Sequence, residues 1–141
     1  MTVVHLKKLC VGAENVNNLY ERQCAIRKKY KKTIHITRMF PKKHNELKNG
    51  GSIFWVFKGY IRARQSILDI ERFTAKDSIK RCKIFLADEI ILTTHKKERP
   101  FQGWRYFEDK DTPNDIELFN QEKFDSENEN LVSELSKLGL V

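Results

Sequence analysis

Three stretches of the chain set cationic side chains beside aromatic rings. Arg38 precedes Phe40, Trp55 and Lys58 lead into Arg62, Arg64 and Gln65, and Trp104-Arg105-Tyr106 follows Phe101-Gln102-Gly103. Guanidinium groups pair with phosphate oxygens, indole and phenol rings stack on bases, and a glutamine amide offers a paired donor and acceptor to a base edge. Arg38, Arg62, Arg64 and Arg105 are therefore candidate phosphate contacts, Trp104 and Tyr106 a candidate stacking platform, and Gln65 a candidate reader of a polar edge. Trp55 lies within the apolar run Ile53-Phe54-Trp55-Val56-Phe57 and reads as core. For any one arginine, a solvated cation or an ion-pair partner of Asp69 or Asp88 competes with an anion ligand, and convergence in space decides between them.

The charge distribution favours an anionic ligand. The 141 residues carry a net charge of +8, but residues 1–107 hold +15 and residues 108–141 hold −7. A basic body of that sign attracts polyanions at low salt, and the acidic tail is placed to compete with them. A Lys-rich surface also serves solubility alone.

Signals for catalysis are poor. The chain has no Gly-x-Ser-x-Gly elbow, no Lys-Ser/Thr phosphate loop and no His-Glu-x-x-His. Cys82 with His95, or Ser52 with His35, can be named as nucleophile and base, without supporting spacing. Cys10, Cys24 and Cys82 form no Cys-x-x-Cys pair, so reduced thiols are expected and neither a metal nor a cofactor is implied. The start lacks a signal-peptide core and no apolar run reaches membrane-spanning length, so a cytoplasmic protein without membrane contact is expected.

The elements that must carry these residues form an α+β pattern. Residues 3–11 read as a strand ended by Gly12, and residues 15–31 as an amphipathic helix on Val16, Leu19, Tyr20, Ile26 and Tyr30. Residues 33–40 alternate, with Ile34, Ile36, Arg38 and Phe40 on one face and Thr33, His35, Thr37 and Met39 on the other. A short helix or turn at 42–48 precedes a strand at 53–57 that is buried on both faces. Gly59 turns the chain into a further strand through 60–73, on which Arg62 and Arg64 share a face. Residues 81–92 form two short strands or one bulged strand around Asp88-Glu89. The expected fold is a curved, mixed or mostly antiparallel sheet with one long helix near the amino terminus. A basic domain over 1–107 is followed by an acidic segment over 108–141, with a terminal helix capped by Ser126 and striped by Leu131, Val132, Leu135 and Leu138. That stripe either covers the domain's own core or docks on a partner.

A family resemblance rests on His35-x-Thr37-Arg38-x-x-Pro41-Lys42, Gly50-Gly51-Ser52-x-x-Trp55-Val56-x-Lys58-Gly59, Arg64-Gln65-x-x-Leu68-Asp69, Arg81-Cys82 and Arg99-Pro100-Phe101-Gln102-Gly103-Trp104-Arg105-Tyr106. Together these resemble the alphaproteobacterial family named domain of unknown function fourteen eighty-nine, from the amino terminus to about Tyr106, with the acidic tail outside the pattern. The resemblance implies a bacterial, cytoplasmic setting and no mechanism. At the level of architecture the pattern is similar to the PUA-like barrels, which include ASCH, EVE and YTH domains. That similarity implies a cleft for RNA or a modified base, lined by aromatics and a few polar groups. The expected function is an RNA- or nucleotide-binding module of undetermined oligomeric state. The alternatives are a nucleotide- or small-molecule-acting enzyme, or an interaction module that docks through its terminal helix.

Overall fold

The computed structural model describes residues 3–123 of the chain. It is an α+β fold with an eight-stranded mixed sheet. In chain order the elements are β1 (Val4–Leu9), α1 (Val16–Tyr30), β2 (Thr33–Thr37), α2 (His44–Lys48), β3 (Ser52–Phe57), β4 (Tyr60–Thr74), β5 (Lys80–Leu86), β6 (Ile91–Lys97), β7 (Trp104–Glu108), a 3-10 turn at Asp109–Asp111, and β8 (Asp115–Leu118). The terminal helix expected at 126–138 lies outside the described residues.

Local chemistry explains the element ends. The Asn15 side chain accepts the Asn18 N–H at 2.9 Å and starts α1. Lys31 ends it in the left-handed conformation, donating its N–H to the Arg27 carbonyl at 2.7 Å. Lys58 and Gly59, both at positive φ, form the two-residue turn of the β3/β4 hairpin. All six residues of β3 are buried. Ile53, Trp55 and Phe57 face the larger core under α1, while Phe54 and Val56 face a second cluster with Ile61, Phe101 and Phe107. We call these the inner and outer faces.

β4 is the spine. It pairs with β3 along one edge, while its other edge pairs with β6 near the start and β5 near the end. Residues 80–97 thus run back along β4 as one interrupted strand, with the break at Ala87–Ile90 around Asp88-Glu89. β1 and β3 are the one parallel pair among the described strands, with α1, β2 and α2 in the connection between them.

The sheet is open in its pairing and strongly curled. Its main path runs β2-β5-β4-β3-β1-β7. Three strand spacings would separate β2 from β3 by about 14 Å in a flat sheet. Yet the rings of His35 on β2 and Trp55 on β3 are 5.1 Å apart. At the path's two ends, Trp104 Nε1 on β7 donates to the carbonyl of Met39, just beyond β2, at 3.0 Å. The Lys43 N–H donates to the Tyr106 hydroxyl at 3.1 Å. The sheet therefore folds over its inner face until its edges meet at a seam held by side chains.

The division expected after residue 107 falls inside β7. The following segment adds to the same sheet, because β8 pairs with β6 and Asp115 clamps Arg64. Among the described residues no helix is long and apolar enough to cross a membrane.

Candidate anion-binding site

The inner face beside the seam carries a row of side chains set by strand register. Lys8 on β1 pairs with Trp104 of β7 on one side and Trp55 of β3 on the other, and Trp55 pairs with Ala63 of β4. Lys8 alternates with buried Leu6 and Cys10, so its stem runs along apolar surface. It is half-buried, and burial lowers its ammonium pKa. From α1, Arg22 reaches over the turn after β1, where a Cβ on Gly12 would stand 3.2 Å from its Nη2. From β2, His35 packs edge-on against Trp55.

These three basic groups act on one another. Burial pushes the His35 imidazole down to about 3, helped by the positive charges of Lys8 and Arg22. Its Nε2 is shielded from solvent and has no hydrogen-bond partner. Burial likewise pushes the Cys10 thiol up to about 11, against the pull of Arg22 and Lys8. No carboxylate among the described residues forms an ion pair with Lys8, Arg22 or His35. Lys8 and Arg22 thus set positive charge beside a neutral, unpartnered imidazole, and the donors of all three can serve an anion with several acceptor oxygens.

Trp104 and Tyr106 stand beside this cluster, 5.0 Å apart in an edge-to-face pair. Tyr106 is 37% exposed and its ring carries the Lys43 ammonium at 5.2 Å. The two expected stacking residues are therefore brought together at the seam.

The other expected site residues are dispersed. Gln65 has no exposed surface and is fully occupied in the core. Its Oε1 accepts from Trp55 Nε1 at 2.9 Å and from Gln23 at 2.7 Å, and its Nε2 donates to Gln23 and to the Ala87 carbonyl. No donor or acceptor of Gln65 is left to read a base. Arg64 lies on the outer face, bidentate to Asp115 at 2.7 Å on each bond and donating to the Ser52 hydroxyl at 2.9 Å. Arg105, also on the outer face, lies over the Phe101 ring. Arg62 falls in a register shift on both edges of β4, which interrupts the alternation between it and Arg64, and it lies against Tyr60. Arg38 is exposed at the end of β2 and lines a separate cleft with Arg72 and Lys80.

The nucleophile and base pairs are not assembled. Cys82 is buried opposite Arg72 near one end of β4, its thiol pushed up to about 11 by burial. His95 packs near Tyr60 at the other end. Ser52 takes its hydrogen bond from Arg64, and its backbone N–H goes to His5 rather than His35.

Sequence reasoning passed over Lys8 and Arg22, and named His35 only as a base for Ser52. For Lys8 the signal was present, a lysine between Leu6 and Cys10 on the apolar face of a strand. Nothing local marks the other two.

These features define an α+β domain with a cationic, aromatic-lined seam. The chain belongs to the family described as protein of unknown function (DUF1489), whose model matches residues 6–141 and so runs on through the acidic tail. No curated protein and no solved structure matches the chain.

Proposed function

We propose that the protein binds a nucleotide or single-stranded RNA at the seam, with phosphate held by Lys8, Arg22 and His35 and a base against Trp104 or Tyr106. The observation that carries this reading is the grouping of half-buried Lys8, exposed Arg22 and the shielded His35 Nε2 beside two aromatic rings, with no carboxylate ion pair to any of the three among the described residues. A phosphate there accepts from the ammonium and guanidinium groups and from protonated His35. Its negative charge also relieves the electrostatic penalty on that proton, so binding is linked to proton uptake by His35. Stacking on an indole or phenol contributes about 1–3 kcal/mol per base and tolerates any base.

The similarity to PUA-like domains belongs to this proposal. Its support is the curl of the sheet, which brings the two end strands of its main path together at the seam. A cytoplasmic setting is proposed on the three cysteines, all free.

The test is a pH titration of the His35 ring protons by NMR, alone, with uridine and with uridine monophosphate. The His35 midpoint is expected to rise with the monophosphate and to stay in place with the nucleoside. A midpoint indifferent to the monophosphate contradicts phosphate binding at the seam.

A further inference from the structure

A cationic cleft opens just past the seam. It has a volume of about 220 Å³ and is lined by Arg38, Phe40, Arg72 and Lys80, together with Phe73 and Arg81. Each cation has a structural origin. Arg38 follows the last residue of β2, Arg72 belongs to the far end of β4, and Lys80 and Arg81 open β5. The guanidinium of Arg72 lies 4.2 Å from the centroid of the Phe40 ring, which holds it in place while leaving its N–H groups free to point past the ring edge.

Of the four cations that line this cleft, only Arg81 has a carboxylate partner among the described residues. Arg81 is held bidentately by Asp77, at 3.1 and 2.9 Å. Arg38, Arg72 and Lys80 form no ion pair with a carboxylate among the described residues. Among the described residues no acidic side chain lines the cleft. Three guanidinium or ammonium groups converging on a concave surface bind an anion with several acceptor oxygens, such as a phosphodiester.

The seam and this cleft are joined by a short piece of chain. Arg38 is three residues beyond His35, about 10 Å along an extended backbone. Met39, the residue after Arg38, accepts the Trp104 indole N–H through its carbonyl at 3.0 Å, and Trp104 also pairs in register with Lys8, so the Trp104 and Tyr106 rings stand between Lys8 and Arg38. The surface therefore reads cations, aromatic rings, cations, which is the phosphate, base, phosphate order of a polynucleotide strand.

We infer that the cleft of Arg38, Arg72 and Lys80 is a second phosphate site and that the ligand is a single-stranded polynucleotide spanning the seam and this cleft, not a mononucleotide. This rests on the reading of the seam given above. A mononucleotide engages the seam alone, whereas a strand several nucleotides long engages the seam and the cleft and releases counterions at both.

The experiment uses the full chain and its Arg38→Gln/Lys80→Gln variant, in which both substituted side chains are exposed and outside the core. Binding of fluorescent twelve-nucleotide single-stranded RNA and DNA is followed by anisotropy across a salt series, and uridine monophosphate binding by NMR shifts. For the strand, the variant is expected to bind about tenfold more weakly, and the slope of log affinity on log salt is expected to become shallower by about 1.4, the loss of two phosphate contacts. Uridine monophosphate is expected to bind parent and variant alike. RNA and DNA binding equally fits recognition through phosphate and ring stacking, and binding of one alone assigns the strand's sugar. A variant that binds the strand with the parent's affinity and slope overturns the second site while leaving the seam intact. A parent that binds neither strand nor monophosphate removes the seam reading and this inference with it.

Discussion

Lys7 and Lys8 are neighbours on one strand with opposite surroundings. Lys7 points to the outer face, where it donates to Glu98 at 2.9 Å and its ammonium lies over the rings of Phe101 and Phe107. Lys8 points to the inner face, between two tryptophans and near two more basic groups, with no carboxylate partner among the described residues. The pattern extends beyond this pair. On the outer face Arg64 is neutralised by Asp115, and His5 bridges Asp109 at 2.8 Å and the Ser52 backbone N–H at 2.9 Å. The outer face spends its charge on holding β8 and the 109–115 segment to the sheet. On the inner face Lys8 and Arg22 form no ion pair with a carboxylate among the described residues. Net charge alone does not distinguish these two situations.

The largest effect expected of a single change comes from the residue beneath the site. Gln65 holds Trp55 and Gln23 in a closed network, so Gln65→Ala strands the indole N–H and the Gln23 amide in the core. A loss of about 3 kcal/mol in urea unfolding is expected. A stable Gln65→Ala protein with weakened ligand binding would return Gln65 to the role of base reader and dissolve the contrast between the faces.

The next effect sharpens the electrostatics of the inner face. Folded His35 takes up a proton far less readily than the unfolded chain does, so its contribution to stability is complete above about pH 6.5 and declines as the pH falls towards 3. The decline is up to about 1.4 kcal/mol per pH unit. Thermal unfolding of the parent and His35→Asn across pH 4–7 is expected to show a steeper loss in the parent. Parallel curves would mean that the imidazole is freely hydrated.

On the outer face the expected effect is smaller and of another kind. Arg64 and Asp115 are partly exposed, so Arg64→Gln is expected to cost no more than about 1 kcal/mol of stability by urea unfolding. Affinity for a single-stranded oligonucleotide is expected to remain within twofold of the parent. A loss of affinity without a loss of stability would place the ligand on the outer face.

Much of the scaffold was legible in the sequence. The apolar spacing located α1, the Lys58-Gly59 turn joined two strands, and Asp88-Glu89 marked the break between β5 and β6. The facing of β2 was not legible, and the site depended on it. Alternation separated Ile34 and Ile36 from Thr33 and His35, and an ordinary amphipathic strand buries the isoleucines. Here Ile36 is 47% exposed, while Thr33 is buried and His35 packs on Trp55, because the curl of the sheet brings β2 over the inner face. Alternation carries no record of such long-range curvature. Partner choice was equally hidden. Gln65 finds Gln23 42 residues away and Arg64 finds Asp115 51 residues away, in a segment that composition alone sets apart as an acidic tail. Trp104 and Tyr106 were legible because two residues on one strand share a face whatever the rest of the fold does.

The difference between the faces is tested most directly with two charge-matched double variants, each two positive charges below the parent. Lys8→Gln/Arg22→Gln alters the inner face, and Lys7→Gln/Arg105→Gln the outer. Anisotropy with a labelled twelve-nucleotide single-stranded RNA at moderate salt then compares the two with the parent. The inner pair is expected to bind at least about tenfold more weakly, as loss of charge-assisted hydrogen bonds requires, and the outer pair to stay within about twofold. Equal losses from the two pairs would show that the chain attracts RNA through its net charge alone and would contradict a site at the seam.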